Sequence, residues 1–492
     1  MKSDTFERIT RWLTILIGAA FVVLVLALSI MRLLYPYEVE WMEGAMMDHV
    51  VRILEAKPIY TTPSIDFVAW LYPPLYYYAV ALAMKIFGIS FFAGRLVSII
   101  ATVFTALTLG HVVRYVTRSL LLGLITTALY FASYHLTGFY FDIVRNDAFF
   151  TALLVLLAFV AIFIRGWMGV FVSAILFTVA FLTKQQAIFF LPALALWYWL
   201  KDRKHGIAFV MTAIVLSTVS LLILDRSTGG WSTYYLFKIP GAKRADIQYL
   251  RLFDVFPYYA LGPLAVCSLA FLTLLFLNNG AKRQFWSSDT GLIALFMLGG
   301  LAAGAMSLAN EGGYRNVLMP YVAFGLPLLP IALSEIRSIQ PRFARYAYLP
   351  ILFQFAALYF NPLSEKMLIA SAHQRQGGDA FMHKLAAMPG EVMIPYHGYI
   401  TRQAGKPSHA HLLAAIDVLR MQDATAARLH SEFDSAYANH RFSAIIMEES
   451  DIFRTDSVQD YLLDGRMLQE PNVYLTRVAD GVTRPEFIFV PR

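Results

Sequence analysis

Three glutamates stand close together shortly after the first apolar run of the chain. Glu38, Glu40 and Glu43 lie within the segment YEVEWMEG at residues 37–44. For any one acid, an ordinary solvated loop is the simpler interpretation. As a group, however, they share the segment with a tryptophan and a methionine. A carboxylate with apolar neighbours has a raised pKa, which suits a general base. The spacing therefore predicts a set of candidate bases.

A second acidic segment, FDIVRND at residues 141–147, follows another apolar run. Asp142 and Asp147 flank Arg145 in this segment. One interpretation is structural, because Asn146 or Asp147 would cap a following helix. The other is functional, because charged side chains this close to hydrocarbon usually serve binding or catalysis. We predict a functional segment and keep capping as the alternative.

Two further polar segments contain isolated cations. Lys184 lies in the motif TKQQ, where snorkelling to the membrane surface is the simplest explanation. Arg315 follows Tyr314 in NEGGYRN at residues 310–316, whose glycines predict a tight turn that also presents Glu311. A plain turn and a functional role explain Glu311 equally well. For Arg315 a functional role is the better explanation.

The composition indicates which elements position these segments. Of the 492 residues, 58% are hydrophobic and 15% are charged, whereas about a quarter are charged in soluble domains. The apolar residues form runs long enough to cross a bilayer core of about 30 Å. They predict a mainly α, polytopic helical bundle of about eleven spans. The spans are expected near residues 12–34, 96–113, 120–141, 148–164, 167–183, 187–200, 207–224, 255–277, 291–308, 317–333 and 346–360.

Composition also limits the chemistry. The net charge of +7 fits cytoplasmic loops better than nucleic-acid binding, since no long basic run occurs. Cys267 is the only cysteine, which excludes disulfides and thiolate metal sites within one chain. Among His397, His409 and His411, the last two have a spacing that resembles metal ligation. Surface or turn histidines are the better interpretation.

The side of the membrane on which each later loop lies depends on whether residues 72–87, YPPLYYYAVALAMKIF, span the membrane. This segment is short and rich in tyrosine, which prefers the membrane interface, so we predict a helix lying on the surface. The basic loops then share one side with the basic N-terminus, as the positive-inside rule requires. We expect the N-terminus in the cytoplasm. The first apolar run is predicted to be a retained anchor, because it is too long for a signal peptide and no cleavage site follows.

This topology places a site on the outer face of the membrane. Most acids outside the C-terminal tail collect there, together with six cations that run against the positive-inside bias. A lipid phosphate would explain the cations, because arginine makes bidentate contacts with phosphate oxygens. The acids are Glu38, Glu40, Glu43, Asp48, Asp66, Asp142, Asp147, Asp225, Asp246, Asp254 and Glu311, and the cations are Arg95, Arg145, Lys184, Lys243, Arg244 and Arg315.

Two domains are predicted. Residues 1–360 form the transmembrane domain, with juxtamembrane helices within residues 36–90. Residues 361–492 form a small soluble α/β domain on the outer side, because the chain becomes charged and apolar runs become short. The tail is predicted to contain strands at 391–394 and 442–447 and a helix within 410–429.

The order of these parts resembles the GT-C superfamily of membrane glycosyltransferases. The shared parts are an acidic first outer loop with a following helix, an interfacial helix that opens with PPL, an acidic second outer loop and a C-terminal outer domain. Closest in style are the protein O-mannosyltransferases and the aminoarabinose transferases that modify lipid A, of the glycosyltransferase 39 type. The resemblance covers residues 10–360, and its motifs are specific in combination rather than singly.

The resemblance implies roles for the first loop. In those families an Asp-Glu pair opens this loop, and its aspartate assists the acceptor. Glu43 and the glycine after it match the glutamate of the pair, whereas Met42 stands at the aspartate position. The base therefore stays open between Glu40 and Glu43, with Glu38 third.

The resemblance also implies donor-binding residues. Tyr72 replaces the basic residue that often precedes the proline of the second interfacial helix, so other cations would contact the phosphate. Asp142 or Asp147 matches the second-loop aspartate, which would orient the acceptor or bind a divalent metal ion. The families disagree on a need for metal, so no cofactor is assigned beyond this candidate ion. The expected donor-binding residues are Arg145, Lys184, Arg315, Tyr314 and Arg95.

The implied reaction is an inverting transfer of a sugar from a polyprenyl phosphate to an acceptor hydroxyl at the outer face of the cytoplasmic membrane. The acceptor would be a glycan, a lipid or a protein. The carboxylates after the first and third spans are expected to share one pocket.

A transporter or flippase is the main rival, but such proteins commonly show repeats and midplane charges, neither of which is evident here. A scaffold would not need clustered outer acids.

Overall fold

The computed structural model describes residues 2–243, 264–278, 283–310, 313–359, 370–448, 460–470, 473–474, 476–478 and 481–492. The chain divides into two compact units. The helical unit comprises Met1–Ser29, Ser98–Leu221 and Ala245–Leu363, and the mixed unit comprises Ile30–Val97, Leu222–Arg244 and Ser364–Arg492. Arg244, Asp246, Asp254, Glu311 and the first part of the span predicted at 255–277 lie outside the described residues.

Long apolar helices dominate the described chain. Six of them have the length and hydropathy needed to cross a membrane, which confirms a mainly α, polytopic membrane fold. Shorter apolar helices occupy the other predicted runs. The six long helices are Thr5–Leu33, Phe91–Thr117, Asn146–Phe163, Arg203–Ser227, Asp289–Leu308 and Arg315–Ile339, and the shorter ones are Leu75–Phe87, Leu120–Ala132, Gly166–Phe181, Leu191–Lys201, Ala265–Leu277 and Leu349–Tyr359.

Two predicted spans differ from the observed helices. The run predicted at 120–141 is helical only to Ala132, and the turns that follow include Gly138 and Phe139 with φ values of 70° and 63°. These left-handed conformations cannot continue a right-handed helix. The run at 187–200 is broken into a 3₁₀ turn, Gln185–Phe190, and the helix Leu191–Lys201, which has proline in its first turn.

The helical unit is held by close packing of apolar helices. Phe190, Phe296 and Phe324 form an aromatic contact group with ring centroids 4.9 to 6.4 Å apart. Elsewhere Gly110 and Gly123 face each other, and a Cβ on either one would lie under 3 Å from the carbonyl oxygen of the other. Small residues at such crossings let backbones approach, which is how helices associate in lipid.

The mixed unit contains all described strands. The four-stranded sheet has the order β1-β2-β6-β3, with β1 and β2 parallel and the other pairs antiparallel. The predicted strands and the helical stretch between them are confirmed. The strands are β1 Glu391–Met393, β2 Phe442–Met447, β3 Tyr461–Arg466, β4 Thr476–Val478, β5 Gly481–Thr483 and β6 Phe487–Pro491. The helices are Glu43–Leu54, Leu75–Phe87, Ala372–Ala387, Gly398–Gln403, Leu412–Leu419 and Ala424–Ala438, with shorter turns between Trp231 and Lys243.

The core of the mixed unit joins segments that are distant in sequence. Tyr35, Tyr37 and Val39 pack in one buried cluster with Phe381 and Ile446. The described part of the chain from residue 370 onwards therefore shares a hydrophobic core with the segment that follows the first long helix. This packing determines the conformation of the loop that contains the three glutamates.

Candidate active site

Glu43 of the first loop forms a buried ion pair with Arg95. Arg95 Nε donates to Glu43 Oε1 at 2.9 Å and its Nη2 donates to Oε2 at 2.7 Å, and both side chains have 0% exposure. The remaining guanidinium hydrogens go to the carbonyl oxygens of Arg32, Tyr35 and Tyr37 at 2.6 to 2.7 Å. All five donors of Arg95 are thus used within the protein, which ties the end of the first helix to the loop.

These contacts change the interpretation of both residues. A role of Arg95 in donor binding stays a prediction, and its guanidinium hydrogens already have acceptors within the protein. Glu43 Oε2 also accepts the backbone N–H groups of Val39 and Glu40 at 2.7 and 3.3 Å. A carboxylate with this many donors is held in its ionised form and positions the loop.

Glu40 lies where the loop pairs with strand β4. Trp41 N–H donates to the carbonyl of Arg477 at 3.1 Å, and Arg477 N–H donates to the carbonyl of Val39 at 3.0 Å. Glu40 is fully buried, and its Oε2 accepts the N–H of Met42 at 3.1 Å. The C-terminal part of the chain therefore fixes the backbone on which this candidate base stands.

Glu38 is paired with a histidine from the C-terminal part of the chain. Its Oε2 lies 2.5 Å from His397 Nδ1, and His397 Nε2 lies 2.7 Å from Glu448 Oε1. Glu38 and His397 side chains have 0% exposure, and Glu448 has 14%. Burial raises the pKa of Glu38 to about 7, against the opposing charge of the imidazolium. Burial alone would lower the pKa of His397, but the two carboxylates raise it to about 10.

The second oxygen of Glu38 points towards Gly44. Among the described residues, Glu38 Oε1 has no hydrogen-bond partner although it is buried. A Cβ at position 44 would overlap this oxygen and lie 2.9 Å from the Cβ of Tyr399. Glycine at position 44 therefore leaves room for a carboxylate oxygen with an unused lone pair.

Asp147 is the centre of a charged cluster in the helical unit. Lys184 Nζ donates to Asp147 Oδ1 at 2.5 Å, and the Asn316 amide donates to the same oxygen at 2.9 Å. Asn146 donates to the carbonyl of Thr183 at 3.3 Å. Three segments that precede or follow long helices thus meet, and Lys184 is 6% exposed rather than reaching out to the membrane surface.

Arg145, Tyr314 and Arg315 extend this cluster. The Arg145 guanidinium lies 5.5 Å from the centroid of the Tyr140 ring, which is 5.7 Å from the ring of Tyr314. Gly138 approaches Tyr314 so closely that a Cβ would lie 2.5 Å from the ring. Arg315 is 2% exposed and directly precedes the asparagine that binds Asp147. The structure thus brings together Arg145, Lys184 and the Tyr314–Arg315 segment.

Asp142 lies in the buried loop that replaces the end of the predicted third span. Its Oδ2 accepts the Tyr134 hydroxyl at 2.7 Å. The loop is anchored to the helix Phe91–Thr117, since Ser98 and Thr102 donate to the carbonyls of Ile143 and Phe141 at 2.6 and 2.8 Å. Asp142 is therefore placed by backbone contacts that no local motif reveals.

The aspartates fit a metal ion poorly. No group of three or more histidine, cysteine or acidic residues suited to a metal occurs in the described parts of the chain. Asp147 already has an ammonium group on Oδ1. A divalent ion at Asp142 or Asp147 stays a prediction, and no step below depends on it.

The tail histidines were expected at the surface or in turns, and their burial contradicts the surface positions only. His397, His409 and His411 are 1%, 2% and 5% exposed. His409 Nδ1 faces Asp66 Oδ1 at 3.3 Å, and His411 caps the helix Leu412–Leu419. Sequence reasoning missed His397 as a partner of Glu38, and no local signal identifies it.

Lys243 lies at the end of the described segment, and its side chain is outside the described residues.

Comparison with known proteins agrees with this architecture. Residues 72–224 match the family model of dolichyl-phosphate-mannose-protein mannosyltransferases. No curated protein matches the chain in sequence. The structure is similar to ArnT from Cupriavidus metallidurans bound to undecaprenyl phosphate, with 10% identity, a TM-score of 0.58 and coverage of 96% of this chain and 97% of ArnT.

A second similarity is to an archaeal enzyme. The oligosaccharyltransferase AglB of Archaeoglobus fulgidus, in complex with an inhibitory peptide and a dolichol-phosphate, has 9% identity and a TM-score of 0.50, covering 88% of this chain and 69% of AglB. The complex of that organism's oligosaccharyltransferase with Zn and sulfate has 10% identity and a TM-score of 0.50. The match covers 84% of this chain and 64% of the oligosaccharyltransferase.

These likenesses show a GT-C fold, which confirms the fold class and the resemblance inferred from the sequence. The protein is a multi-pass membrane protein of that fold. Together with the family match over residues 72–224, the fold indicates a glycosyltransferase.

Proposed function

We propose that this chain transfers a sugar, with inversion, from a polyprenyl phosphate to an acceptor hydroxyl at the outer face of the cytoplasmic membrane. ArnT is bound to undecaprenyl phosphate, AglB to a dolichol-phosphate, and the matching family is described by a dolichyl-phosphate-mannose donor. A polyprenyl phosphate is the feature that these names share. The proposal extends that donor class to this chain.

The buried cations of the helical unit are the observation that supports this proposal most. Arg145 and Lys184 lie beside Asp147, and Arg315 adjoins the asparagine that binds the same carboxylate. A buried cluster that contains three cations is suited to attract an anion. A phosphate diester that becomes a dianion on leaving would be such an anion, and its developing charge would be stabilised there more strongly than in water.

Glu38 is the first-loop carboxylate that best suits a general base. Glu43 is held by Arg95, whereas Glu38 has one oxygen without a hydrogen-bond partner among the described residues. Its pKa of about 7 allows it both to be ionised near neutral pH and to accept a proton. Glu40 is the second candidate.

The reaction proposed for Glu38 is a single displacement. The acceptor oxygen forms a bond to the anomeric carbon while the bond from that carbon to the phosphate oxygen breaks. The hydroxyl proton moves to Glu38 Oε1, and the bonding electron pair leaves with the polyprenyl phosphate. One displacement inverts the anomeric configuration. The phosphate leaves without needing a proton, so no general acid is required.

A transfer assay tests this proposal. Purified protein in nanodiscs would receive a panel of hexosyl and pentosyl undecaprenyl phosphates with glycan, lipid and peptide acceptors, and released undecaprenyl phosphate would be measured. We expect release with at least one donor and a loss of about 10²- to 10⁴-fold in kcat for Glu38→Gln. Wild-type kcat for Glu38→Gln would reject that base. Translocation of intact donor without release would favour a transporter instead.

The proposed orientation is tested by labelling. The chain has one cysteine, Cys267, which is buried, so introduced cysteines report their own position. Lys57 and Lys204 are exposed. We expect Lys57→Cys to react with an impermeant maleimide from outside and Lys204→Cys to react only after the membrane is opened. The reverse pattern would overturn the orientation.

A further inference from the structure

His397 joins three segments of the mixed unit that are far apart in sequence. It stands directly before the helix Gly398–Gln403 and lies between Glu38 of the first loop and Glu448, which follows β2. Glu38 and His397 are 359 residues apart along the chain. The transfer reaction as proposed above gives His397 and Glu448 no role.

We propose that His397 is a positioning residue that holds Glu38 in the orientation and charge state needed for proton transfer, with Glu448 as its anchor. The inference rests on the proposed function, because it assigns a role to His397 in that reaction. It also assigns the C-terminal part of the chain a role in the chemistry.

The hydrogen bonds define the state of the three groups. An ionised carboxylate can only accept hydrogen bonds, so an imidazole between two ionised carboxylates donates from both nitrogens and is an imidazolium. The distance of 2.7 Å to Glu448 is that of a charge-assisted N–H···O bond, and the distance of 2.5 Å to Glu38 is shorter still. Glu38 Oε2 is committed to the imidazolium, and the buried Oε1 has no hydrogen-bond partner among the described residues.

The imidazole is fixed by its own backbone. His397 N–H donates to the carbonyl of Ile394 at 2.9 Å, and the His397 carbonyl accepts the N–H of Ile400 at 3.0 Å. Ile394 follows β1, and Ile400 belongs to the helix Gly398–Gln403. The ring therefore has little freedom, and the carboxylate bonded to it is oriented with similar accuracy.

The positive charge of the His397 imidazolium offsets the negative charges of the carboxylates around it. Without the imidazolium, Glu38 would face other carboxylates in a buried setting, its pKa would rise, and less of it would be ionised at neutral pH. Glu448 keeps the imidazolium charged. The titratable groups that face Glu38 or His397 are Glu40, Glu43, Asp48, Tyr399, Tyr474 and Glu448.

The test compares pH profiles of kcat for the donor that the panel identifies. His397→Gln retains an amide donor for Glu38 but lacks the charge, so the acid limb of the profile should move to higher pH by about 1 to 3 units. The donor KM should not change. His409→Gln is the matched control, because His409 is equally buried in the same unit but pairs with Asp66. Its profile should follow the wild type.

A second measurement needs neither a folded His397 variant nor turnover. The imidazole of His397 is titrated by NMR of ring-labelled histidine in the wild type and in Glu38→Gln. Coupling between two sites is reciprocal, so loss of the Glu38 charge should lower the pKa of His397. An imidazole that is neutral at pH 8 in the wild type, or unchanged by Glu38→Gln, would overturn the proposed pairing.

The outcomes separate the two proposals. If no donor releases undecaprenyl phosphate in the wild type, the proposed function fails, while the NMR titration still decides whether Glu38 and His397 are coupled. If transfer occurs and His397→Gln has the wild-type pH profile, the positioning role fails although the function stands.

Discussion

Replacing Glu43 by glutamine is expected to unfold the first loop locally. The Glu43 carboxylate balances a guanidinium that has no exposure to solvent. Removing one partner of a buried ion pair leaves an uncompensated charge and costs about 3–5 kcal/mol. Two backbone N–H groups lose a charged acceptor as well. This decrease in stability affects the conformation of the first loop, which contains all three glutamates.

Hydrogen exchange of the amides within residues 35–54 measures this cost where it arises. A loss of about 3–5 kcal/mol corresponds to exchange faster by roughly one hundred-fold to several thousand-fold. Glu55→Gln is the control, since Glu55 is 34% exposed and pairs with Lys57 and Arg402 at the surface. Such pairs contribute about 1 kcal/mol or less.

A double substitution checks the cause. In the Glu43→Gln background, Arg95→Gln should cost far less than Arg95→Gln alone, because the buried charge has already lost its partner. The reasoning would be refuted if Glu43→Gln left exchange in residues 35–54 unchanged while abolishing sugar transfer. Glu43 would then be the base rather than the anchor of the loop.

Three further predictions concern single residues. Gly44→Ala should cost about 1–3 kcal/mol by overpacking and should lower kcat by displacing the Glu38 carboxylate, as measured by thermal unfolding and transfer assays. Burial raises the pKa of Asp48 from 3.8 to about 7. Between pH 3.8 and about 7 the folded protein therefore binds more protons than the unfolded chain. Its stability decreases as the pH rises through this range. Asp48→Asn should flatten this dependence, raising Tm at pH 8 relative to wild type more than at pH 4; an equal slope would contradict the assignment. Lys184→Met should leave Asp147 buried without its ammonium partner and cost about 3–5 kcal/mol, and Asp147→Asn should recover part of that loss. Additive effects of these two substitutions would contradict the pairing.

The sequence predicted the helices well because long apolar runs are a local signal. The helices Phe91–Thr117 and Asn146–Phe163 begin and end within a few residues of the predicted spans. One exception is the run at 120–141, which stays apolar after Ala132 but lies in a buried loop, and the other is the run at 187–200, which is broken after Phe190. Hydropathy measures transfer to an apolar environment and does not distinguish a helix from such a loop.

The site was predicted only in part because its partners are distant in sequence. The segments with Asp147, Lys184 and Arg315 were identified, since charges beside apolar runs are unusual. The pairing of Glu43 with Arg95 joins residues 52 apart, and that of Glu38 with His397 joins residues 359 apart. Such contacts depend on tertiary packing. The shared pocket of the first-loop and second-loop carboxylates stays a prediction.

The central claim is that this membrane protein cleaves a sugar from a polyprenyl phosphate. Phosphorus NMR of the purified protein in nanodiscs, with the undecaprenyl phosphate sugar that supports turnover and its acceptor, follows the reacting group directly. We expect the diester signal to be replaced by the monoester signal of undecaprenyl phosphate, the product to have the inverted anomeric configuration, and Glu38→Gln to stop the change. A diester signal that stays constant with every donor of the panel, or a product with retained configuration, would contradict it.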